Sequence, residues 1–270
     1  MLQAALKFAF VFAFFLLSGI QSVSANPLGL RPDERNASIK PTTKKGETTF
    51  GLRYGECSSR PYSGDRSEND CKNGNIRSSL KKKWVRIGST VRYSFDFWID
   101  PSIEYAGWKN SNANGFLPGA WDTRLRIAAW LGDGKHNYLY LLKLDKRYGV
   151  RFVGKTCASP SDFGKWIPFE MTVKWSRSND GTMTVKCNGK VIYHVAGKPT
   201  TVSTPHCYIT NLCNPKLNNN PGQIGFEMGL VMQGFGPDWQ RWGYSTPFTP
   251  FNGSIVAKFR NVKMKKVRIN

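Results

Sequence analysis

From Thr48 onward, short segments of alternating apolar and polar residues follow one another, separated by Gly, Asn, Asp and Pro. Alternation with a period of two, in segments rich in β-branched and aromatic residues, is typical of strands that bury one face. The segments are 90–99, 123–131, 138–145, 148–154, 169–176, 182–188, 190–196, 224–232 and 255–269. Tight-turn sequences at 179–181 and 187–190 join consecutive strands. The pattern predicts an all-β fold in which two antiparallel sheets pack as a β-sandwich or jelly roll.

The first residues predict export. Lys7 precedes an apolar run at 8–17, and Val23-Ser24-Ala25 supplies the small residues that a signal peptidase requires. The run is shorter than the ~20 residues that span a bilayer, which disfavours an uncleaved anchor. We therefore expect a signal peptide at 1–25, no membrane span, and a secreted protein in the extracellular space or the periplasm. Residues 26–47 are polar and rich in Pro and Lys, which predicts a flexible leader before one domain at 48–270.

The charge of the chain narrows the class of partner. The sequence has 39 Lys and Arg against 18 Asp and Glu, a net charge of +21, and the predicted signal peptide removes only Lys7. A field of this strength attracts nucleic acid, anionic lipid or acidic polysaccharide. For an exported protein we expect an acidic polysaccharide, with no specific nucleic acid as partner and the chain as a monomer. The alternative is that the charge serves only solubility.

Six cysteines occur after the predicted signal peptide: Cys57, Cys71, Cys157, Cys187, Cys207 and Cys213. An even number in an exported protein predicts three disulfides, for which 15 pairings are formally open. Proximity favours Cys57–Cys71 and Cys207–Cys213, which leaves Cys157 with Cys187. A zinc site is the competing interpretation, but no CxxC pair is present. We expect no cofactor or metal, and a structural Ca²⁺ stays open.

Several enzyme classes lack their signature here. The sequence has no glycine-rich phosphate loop, no HExxH, no GxSxG and only three histidines. Hydrolysis of a sugar chain needs two carboxylates ~5–10 Å apart, and the acids of this chain are sparse and scattered. We therefore give hydrolase chemistry low weight.

Three stretches resemble a known enzyme family. They are 64–68 (Gly-Asp-Arg-Ser-Glu), the aromatic strand 90–99 with Asp100-Pro101 after it, and 164–190 with its order Gly-x-Trp, Trp-Ser, Asp-Gly and Asn-Gly-Lys. In this order they resemble the heparin lyase I-like polysaccharide lyases. The resemblance implies a concanavalin A-like jelly roll that cleaves a uronate-containing polysaccharide by β-elimination.

The resemblance also implies roles for individual residues. In β-elimination an Arg, Gln or Asn neutralises the uronate carboxylate, a Tyr or His removes the C5 proton, and a Tyr usually protonates the leaving oxygen. Arg66 matches the neutralising Arg of the family by motif. The family's Gln-apolar-His strand falls on 129–131 and its Lys-x-Gly-x-Tyr motif on 227–231, where this sequence has none of these polar residues. His136, His206 and Tyr208 are the candidates that could replace them from loops.

Further residues are candidates for binding sugar. Aromatic rings stack on sugars and cations bind carboxylates. The candidates of these two kinds are Arg77, Trp130, Trp239, Arg241, Trp242 and Tyr244, and Glu68 of the Arg-Ser-Glu stretch is a further candidate. Each has a structural alternative: Glu68 pairs with Arg66, the tryptophans fill a core, and His136 is an exposed loop residue. Loops at 100–122 and 199–222 are long enough to border a groove.

Three hypotheses of function follow from the sequence. The first is a secreted lyase-like protein that acts on an acidic polysaccharide. The second is a non-catalytic carbohydrate-binding protein with the same fold, which the missing Gln, His, Lys and Tyr favour. The third is a basic secreted protein that binds another protein or nucleic acid.

Overall fold

The computed structural model describes residues 25–36, 39–53, 56–62, 65–72, 75–103, 125–133, 138–145, 148–201, 221–232 and 254–267. These ranges contain sixteen strands and two single-turn 3₁₀ helices, Pro27–Gly29 and Pro160–Asp162. The strands are β1 Arg31–Pro32, β2 Ile39–Lys44, β3 Glu47–Arg53, β4 Pro61–Tyr62, β5 Asp65–Asn69, β6 Ile76–Arg86, β7 Thr90–Ile99, β8 Leu125–Gly132, β9 Tyr138–Asp145, β10 Gly149–Phe152, β11 Lys155–Ala158, β12 Ile167–Lys174, β13 Thr182–Cys187, β14 Lys190–Ala196, β15 Gln223–Met232 and β16 Ser254–Lys266. Neither helix in these ranges has the length and hydrophobicity of a membrane span.

Two seven-stranded sheets form the body of the protein. Sheet A has the strand order β1-β6-β15-β8-β9-β10-β11, and sheet B has the order β14-β13-β12-β7-β16-β3-β2. Strands β4 and β5 pair with each other in a separate two-stranded ribbon. Every pairing within the described ranges is antiparallel. The predicted all-β fold with two antiparallel sheets is confirmed.

The core lies between the two sheets because alternate residues of each strand point inward. Trp130 and Phe226 of sheet A meet Tyr93 and Phe169 of sheet B, with ring centres 5.4–5.8 Å apart in the pairs Tyr93–Trp130, Tyr93–Phe226 and Trp130–Phe169. All four rings are buried. At this separation aromatic pairs stabilise one another by about 1 kcal/mol beyond their burial, so the alternating aromatic strands fix how the sheets face each other.

Two parts of the chain differ from the sequence-based prediction. Strand β6 was not predicted, because three consecutive lysines, 81–83, interrupt its alternation where a bulge shifts the register against β15. The flexible leader at 26–47 is corrected: Arg31–Pro32 pairs with β6, and Ile39–Lys44 pairs with β3. A polar segment can form such strands because an edge strand needs only one ladder of backbone hydrogen bonds.

Two disulfides cross-link the described part of the chain. Cys57–Cys71 links the segments on either side of the β4–β5 ribbon, and Cys157–Cys187 links β11 of sheet A to β13 of sheet B. Both predicted pairings are confirmed. The predicted Cys207–Cys213 pair lies outside the described residues.

Candidate functional site

The outer face of sheet A carries charged side chains near the middle of the sheet. In β6, Ile76 and Leu80 belong to the core, so alternation turns Arg77 and Lys81 to the opposite side. In β8, Leu125 belongs to the core and Arg126 follows it on the outer side. A neutral polar residue would be the usual occupant of such a face, so its charges need a separate explanation.

Four cations line up across five neighbouring strands of this face. Arg77 of β6 lies opposite Val231 of β15, which lies opposite Arg126 of β8. Arg126 in turn lies opposite Lys143 of β9, and Lys143 opposite Arg151 of β10. We call Arg77, Arg126, Lys143 and Arg151 the cation row. Because neighbouring strands are ~4.8 Å apart, the row extends about 19 Å across the strands.

Arg77 is almost completely buried and is held by two carboxylates. Its Nε donates to Asp70, its Nη2 donates to Asp70 Oδ1 at 2.6 Å, and its Nη1 lies 3.4 Å from Asp33 Oδ2. Burial alone would lower the pKa of Arg77, but the hydrogen bonds and negative charge of Asp70 outweigh it and leave the pKa above its ordinary value. The guanidinium is therefore charged at every pH at which the protein folds.

Asp33 gathers further cations beside Arg77. It accepts hydrogen bonds from Arg35 Nε at 3.0 Å and Arg35 Nη2 at 2.9 Å, and Lys81 Nζ lies 2.8 Å from its Oδ2. Burial would raise the pKa of Asp33, but the hydrogen bond from Arg35 and the charges of Arg77, Arg35 and Lys81 hold the pKa far below its ordinary value. These contacts hold the segment after β1 against β6, the second strand of sheet A.

Glu227 is the carboxylate nearest the middle of the cation row. Its Oε2 lies 3.4 Å from Arg126 Nη2, and the side chain is 3 % exposed. Burial would raise its pKa, but the charges of Arg126 and Arg77 outweigh burial and lower the pKa, so Glu227 is ionised at neutral pH. Its Oε1 is buried and accepts no hydrogen bond from the described residues.

Among the described residues, the charged side chains around the cation row include more cations than carboxylates. The cations are Arg35, Arg77, Lys81, Arg126, Lys143 and Arg151, and the carboxylates are Asp33, Asp70 and Glu227. This set has six cations and three carboxylates. Such an excess on a low-dielectric surface attracts anions more strongly than the same charges scattered in water.

An exposed aromatic ring borders this charged region. Trp84 of β6 is 39 % exposed and lies opposite Gly225 of β15. A Cβ at position 225 would come within 3.0 Å of the Trp84 ring, so the ring rests directly against the glycine backbone. An exposed aromatic face next to cations offers apolar surface for the C–H face of a sugar ring.

The residues predicted from the sequence are distributed unevenly over this geometry. Arg77 lies in the cation row. Arg66 and Glu68 belong to β5, which leads directly to Asp70 and thus to the carboxylate that holds Arg77. The residues outside the described ranges are His136, His206, Tyr208, Trp239, Arg241, Trp242 and Tyr244.

Trp130 is a correction to the sequence-based assignment. Its side chain is 0 % exposed and packs against Tyr93, Phe152, Phe169 and Phe226 in the core. The alternation of β8 sends this ring inward and its neighbours outward. Trp130 therefore has no surface available to stack on a sugar.

Most of the charged residues of this face were not singled out from the sequence. The missed residues are Asp33, Asp70, Lys81, Trp84, Arg126, Lys143, Arg151 and Glu227. A local signal exists for three of them, because Arg126, Lys143 and Arg151 each stand between apolar residues that alternate with them in a strand. Their alignment into one row depends on strand order, which the alternation does not reveal.

Comparison with known proteins gives similarity of architecture. No protein-family model matches the sequence, and no curated protein matches it. Among solved structures, the endo-β-1,4-glucuronan lyase from the fungus Trichoderma reesei aligns with a TM-score of 0.49 and 13% identity over 93% of this chain and 92% of that one. An alginate lyase of polysaccharide lyase family 7, AlgAT5, aligns with a TM-score of 0.45 and 12% identity over 91% and 89%. The alginate lyase from Corynebacterium sp. aligns with a TM-score of 0.45 and 10% identity over 85% and 82%.

These structural neighbours are named glucuronan and alginate lyases. The finer resemblance to heparin lyase I-like enzymes stays a prediction. The residues of the candidate site stand on their own geometry.

Proposed function

We propose that the protein binds a uronate-containing polysaccharide along the outer face of sheet A and cleaves it by β-elimination. The cation row is the observation that carries this proposal. A polyuronate is a linear chain with one carboxylate on each sugar. Lys143 and Arg151 are partly exposed and can contact these carboxylates directly, whereas Arg77 and Arg126 are buried and add positive potential beneath them. Trp84, seven residues from Arg77 along β6, supplies an exposed apolar surface for a sugar ring on the same face.

Cations of this kind also serve the chemistry of elimination. The C5 proton of a uronate is weakly acidic until a cation neutralises the adjacent carboxylate and stabilises the enediolate that forms on deprotonation. Arg66, matched by motif to the neutralising arginine of the lyases, is our candidate for this role. His136, His206 and Tyr208 are the candidates for the base that takes the C5 proton and the acid that protonates the departing oxygen.

One observation favours a second candidate function, binding without cleavage. Ala129 lies opposite Glu227, and Val231 lies opposite Arg126. Both residues are buried, but they are not part of the core between the sheets and belong to the outer face of sheet A. These strand positions correspond by motif to the Gln and Tyr of the lyases, and neither residue can donate or accept a proton. A protein with these substitutions alone would hold the polymer and leave it intact.

We also propose that the protein works outside the cytoplasm. Its two disulfides persist in oxidising compartments, and reduction by cytosolic thiols would break them. The net charge of +21 fits an extracellular matrix of acidic polymers. Sequencing the N-terminus of the mature protein tests this proposal, and a mature chain that begins at Asn26 is the expected result.

The experiment that separates cleavage from binding uses the ultraviolet absorbance of the product. Elimination leaves a C4–C5 double bond conjugated to the carboxylate, which absorbs in the ultraviolet, whereas binding creates no chromophore. The full chain is incubated with polyglucuronate, alginate and heparin, and absorbance and binding are both recorded. Rising absorbance with at least one polymer supports the lyase, and binding with flat absorbance supports the second candidate.

Variants test whether the cation row is the binding surface. Lys143→Gln with Arg151→Gln removes two partly exposed charges from the row and should weaken polymer binding about five- to thirtyfold, the loss of two ion pairs. Lys190→Gln with Lys198→Gln, two exposed lysines elsewhere, changes the net charge equally and is the matched control. Equal loss of binding in both double variants would refute the assignment, because net charge alone would then explain the affinity.

A further inference from the structure

The outer face of sheet B carries a second group of cations at the C-terminal end of β16. Lys263 lies opposite Ser94 of β7, and Lys265 lies opposite Arg92 of the same strand. On the next strands, Lys186 of β13 lies opposite Glu170 of β12. We call Arg92, Lys186, Lys263 and Lys265 the basic patch.

Charges in the first half of β16 are already neutralised. Lys258 Nζ lies 3.0 Å from Glu47 Oε1 and 5.0 Å from the centre of the Trp98 ring. Arg260 Nε lies 3.1 Å from Asp96 Oδ2, and its guanidinium carbon lies 4.2 Å from the centre of the Trp166 ring. These two cations have both an anion and an aromatic ring beside them, so little of their field extends into solvent.

The basic patch lacks this compensation. Lys263 and Lys265 are exposed, and within the described ranges neither makes an ion pair. Glu170 is shared, 3.9 Å from both Arg92 Nε and Lys186 Nζ. Asp96, two residues from Ser94 along β7, already accepts hydrogen bonds from Arg260 and Asn261. The carboxylates beside the patch therefore compensate its four cations only in part.

We propose that the basic patch is a second surface for an acidic polysaccharide. Between its cations the strands present Ser94, Thr172 and Thr184, whose hydroxyl groups can exchange hydrogen bonds with sugar hydroxyl, carboxylate or sulfate groups. Met264, the apolar residue between the two lysines, packs toward the core. The patch is thus polar and flat. Such a surface binds a hydrated polymer better than it binds the apolar interior of a lipid layer.

The two surfaces point in opposite directions because they are the outer faces of two packed sheets. A polymer lying along the cation row of sheet A cannot also lie on the basic patch without passing around the edge of the sandwich. Each protein therefore holds two polymer segments and bridges them, a consequence that rests on the proposed function of sheet A. Binding by the patch itself does not depend on that function.

Charge-neutral variants test the patch. Lys263→Gln with Lys265→Gln should weaken retention on immobilised polyglucuronate about five- to thirtyfold at physiological salt, the effect of losing two ion pairs. Lys44→Gln with Lys45→Gln changes net charge equally and should retain nearly wild-type binding; both lysines are exposed, Lys44 at the end of β2 and Lys45 in the turn that follows it. Equal retention of the two double variants would overturn the proposal. So would tighter binding of the wild type to phosphatidylserine vesicles or DNA than to polyglucuronate and heparin.

Turbidity distinguishes bridging from simple binding. Mixing the wild type with long polyglucuronate should produce a precipitate that dissolves in excess polymer and at high salt. The Lys263→Gln, Lys265→Gln protein should leave the mixture clear, while one of the two oligouronate sites keeps its wild-type affinity. A clear wild-type mixture would refute bridging. In the Lys143→Gln, Arg151→Gln protein the other oligouronate site should weaken while the patch site is unchanged, which identifies sheet A as the separate site.

Discussion

Removal of the Asp70 charge should unfold the protein far more easily than its small chemical size suggests. Arg77 is 5 % exposed, and Asp70 supplies two of its hydrogen bonds. Asp70→Asn keeps the shape of the side chain but leaves the buried guanidinium with Asp33, 3.4 Å away, as its remaining ion-pair partner among the described residues. An uncompensated buried charge costs about 3–5 kcal/mol, and we expect a loss near the middle of that range.

Urea unfolding followed by tryptophan fluorescence measures this loss, since Trp130 and Trp175 are fully buried. In a chain of this length about 4 kcal/mol corresponds to a fall of roughly 8–16 °C in Tm. The matched control is Glu47→Gln, which removes a carboxylate from the exposed pair with Lys258 and should cost less than about 1 kcal/mol. Similar losses for both variants would refute the argument from burial.

A double-mutant cycle then isolates the pair. Asp70→Leu with Arg77→Met removes both charges and fills the space with apolar groups, which is often neutral or stabilising for a buried pair. Asp33 keeps Arg35 and Lys81 as partners, so losing Arg77 does not strand it. The double variant should recover most of the stability that Asp70→Asn loses. If the two substitutions were additive, the buried pair would not be the cause of the loss.

Three further predictions concern stability. The pKa of Asp33 is lower in the folded state than in the unfolded state. Asp33 therefore adds to the free energy of unfolding above about pH 4, and this contribution is lost as pH falls below that value. Asp33→Asn should make the free energy of unfolding depend less on pH in that range, and an unchanged pH profile would contradict the prediction. Cys157→Ser with Cys187→Ser removes the disulfide that closes a loop with a sequence separation of 30, and it should lower the free energy of unfolding by about 3–4 kcal/mol in urea titrations. An unchanged free energy of unfolding would show that the two sheets do not need this disulfide. Gly149→Ala should lower the free energy of unfolding by about 2–4 kcal/mol, because φ of Gly149 is +76° and a Cβ there would lie 1.9 Å from a carbonyl oxygen of the adjacent segment. A variant with wild-type stability would show that the turn has another conformation.

Alternation alone was sufficient to predict much of the fold. The segments 90–99, 138–145 and 190–196 are strands with the predicted bounds, because each has one apolar face and a turn at its end. Strand β6 also has one apolar face, but the three lysines at 81–83 and the bulge beside them interrupt its two-residue alternation. The pairing of Ile39–Lys44 with β3 was also missed, because the composition of an edge strand resembles that of a loop.

The candidate site was less predictable because it is assembled from separated parts of the chain. Arg77 receives one carboxylate from seven residues away and another from 44 residues away, and Arg126 meets Glu227 across 101 residues. The cation row exists only because the strand order is β6-β15-β8-β9-β10. No local pattern carries that order. Arg77 was predicted to bind substrate, and the structure places it in the row, buried and held by Asp70.

The ion pairs on the two faces of the sandwich differ in the free energy required to remove their charges from water. On sheet B the ion pairs, such as Lys186–Glu170, involve side chains that are 36–44 % exposed, and exposed pairs change stability little. On sheet A the pair Arg126–Glu227 is at most 7 % exposed, and desolvating two charges commonly offsets their attraction. Apolar residues of similar volume would serve a purely structural face at least as well. We therefore keep sheet A as the proposed face for the primary ligand and sheet B as the proposed face that recruits more of the same polymer.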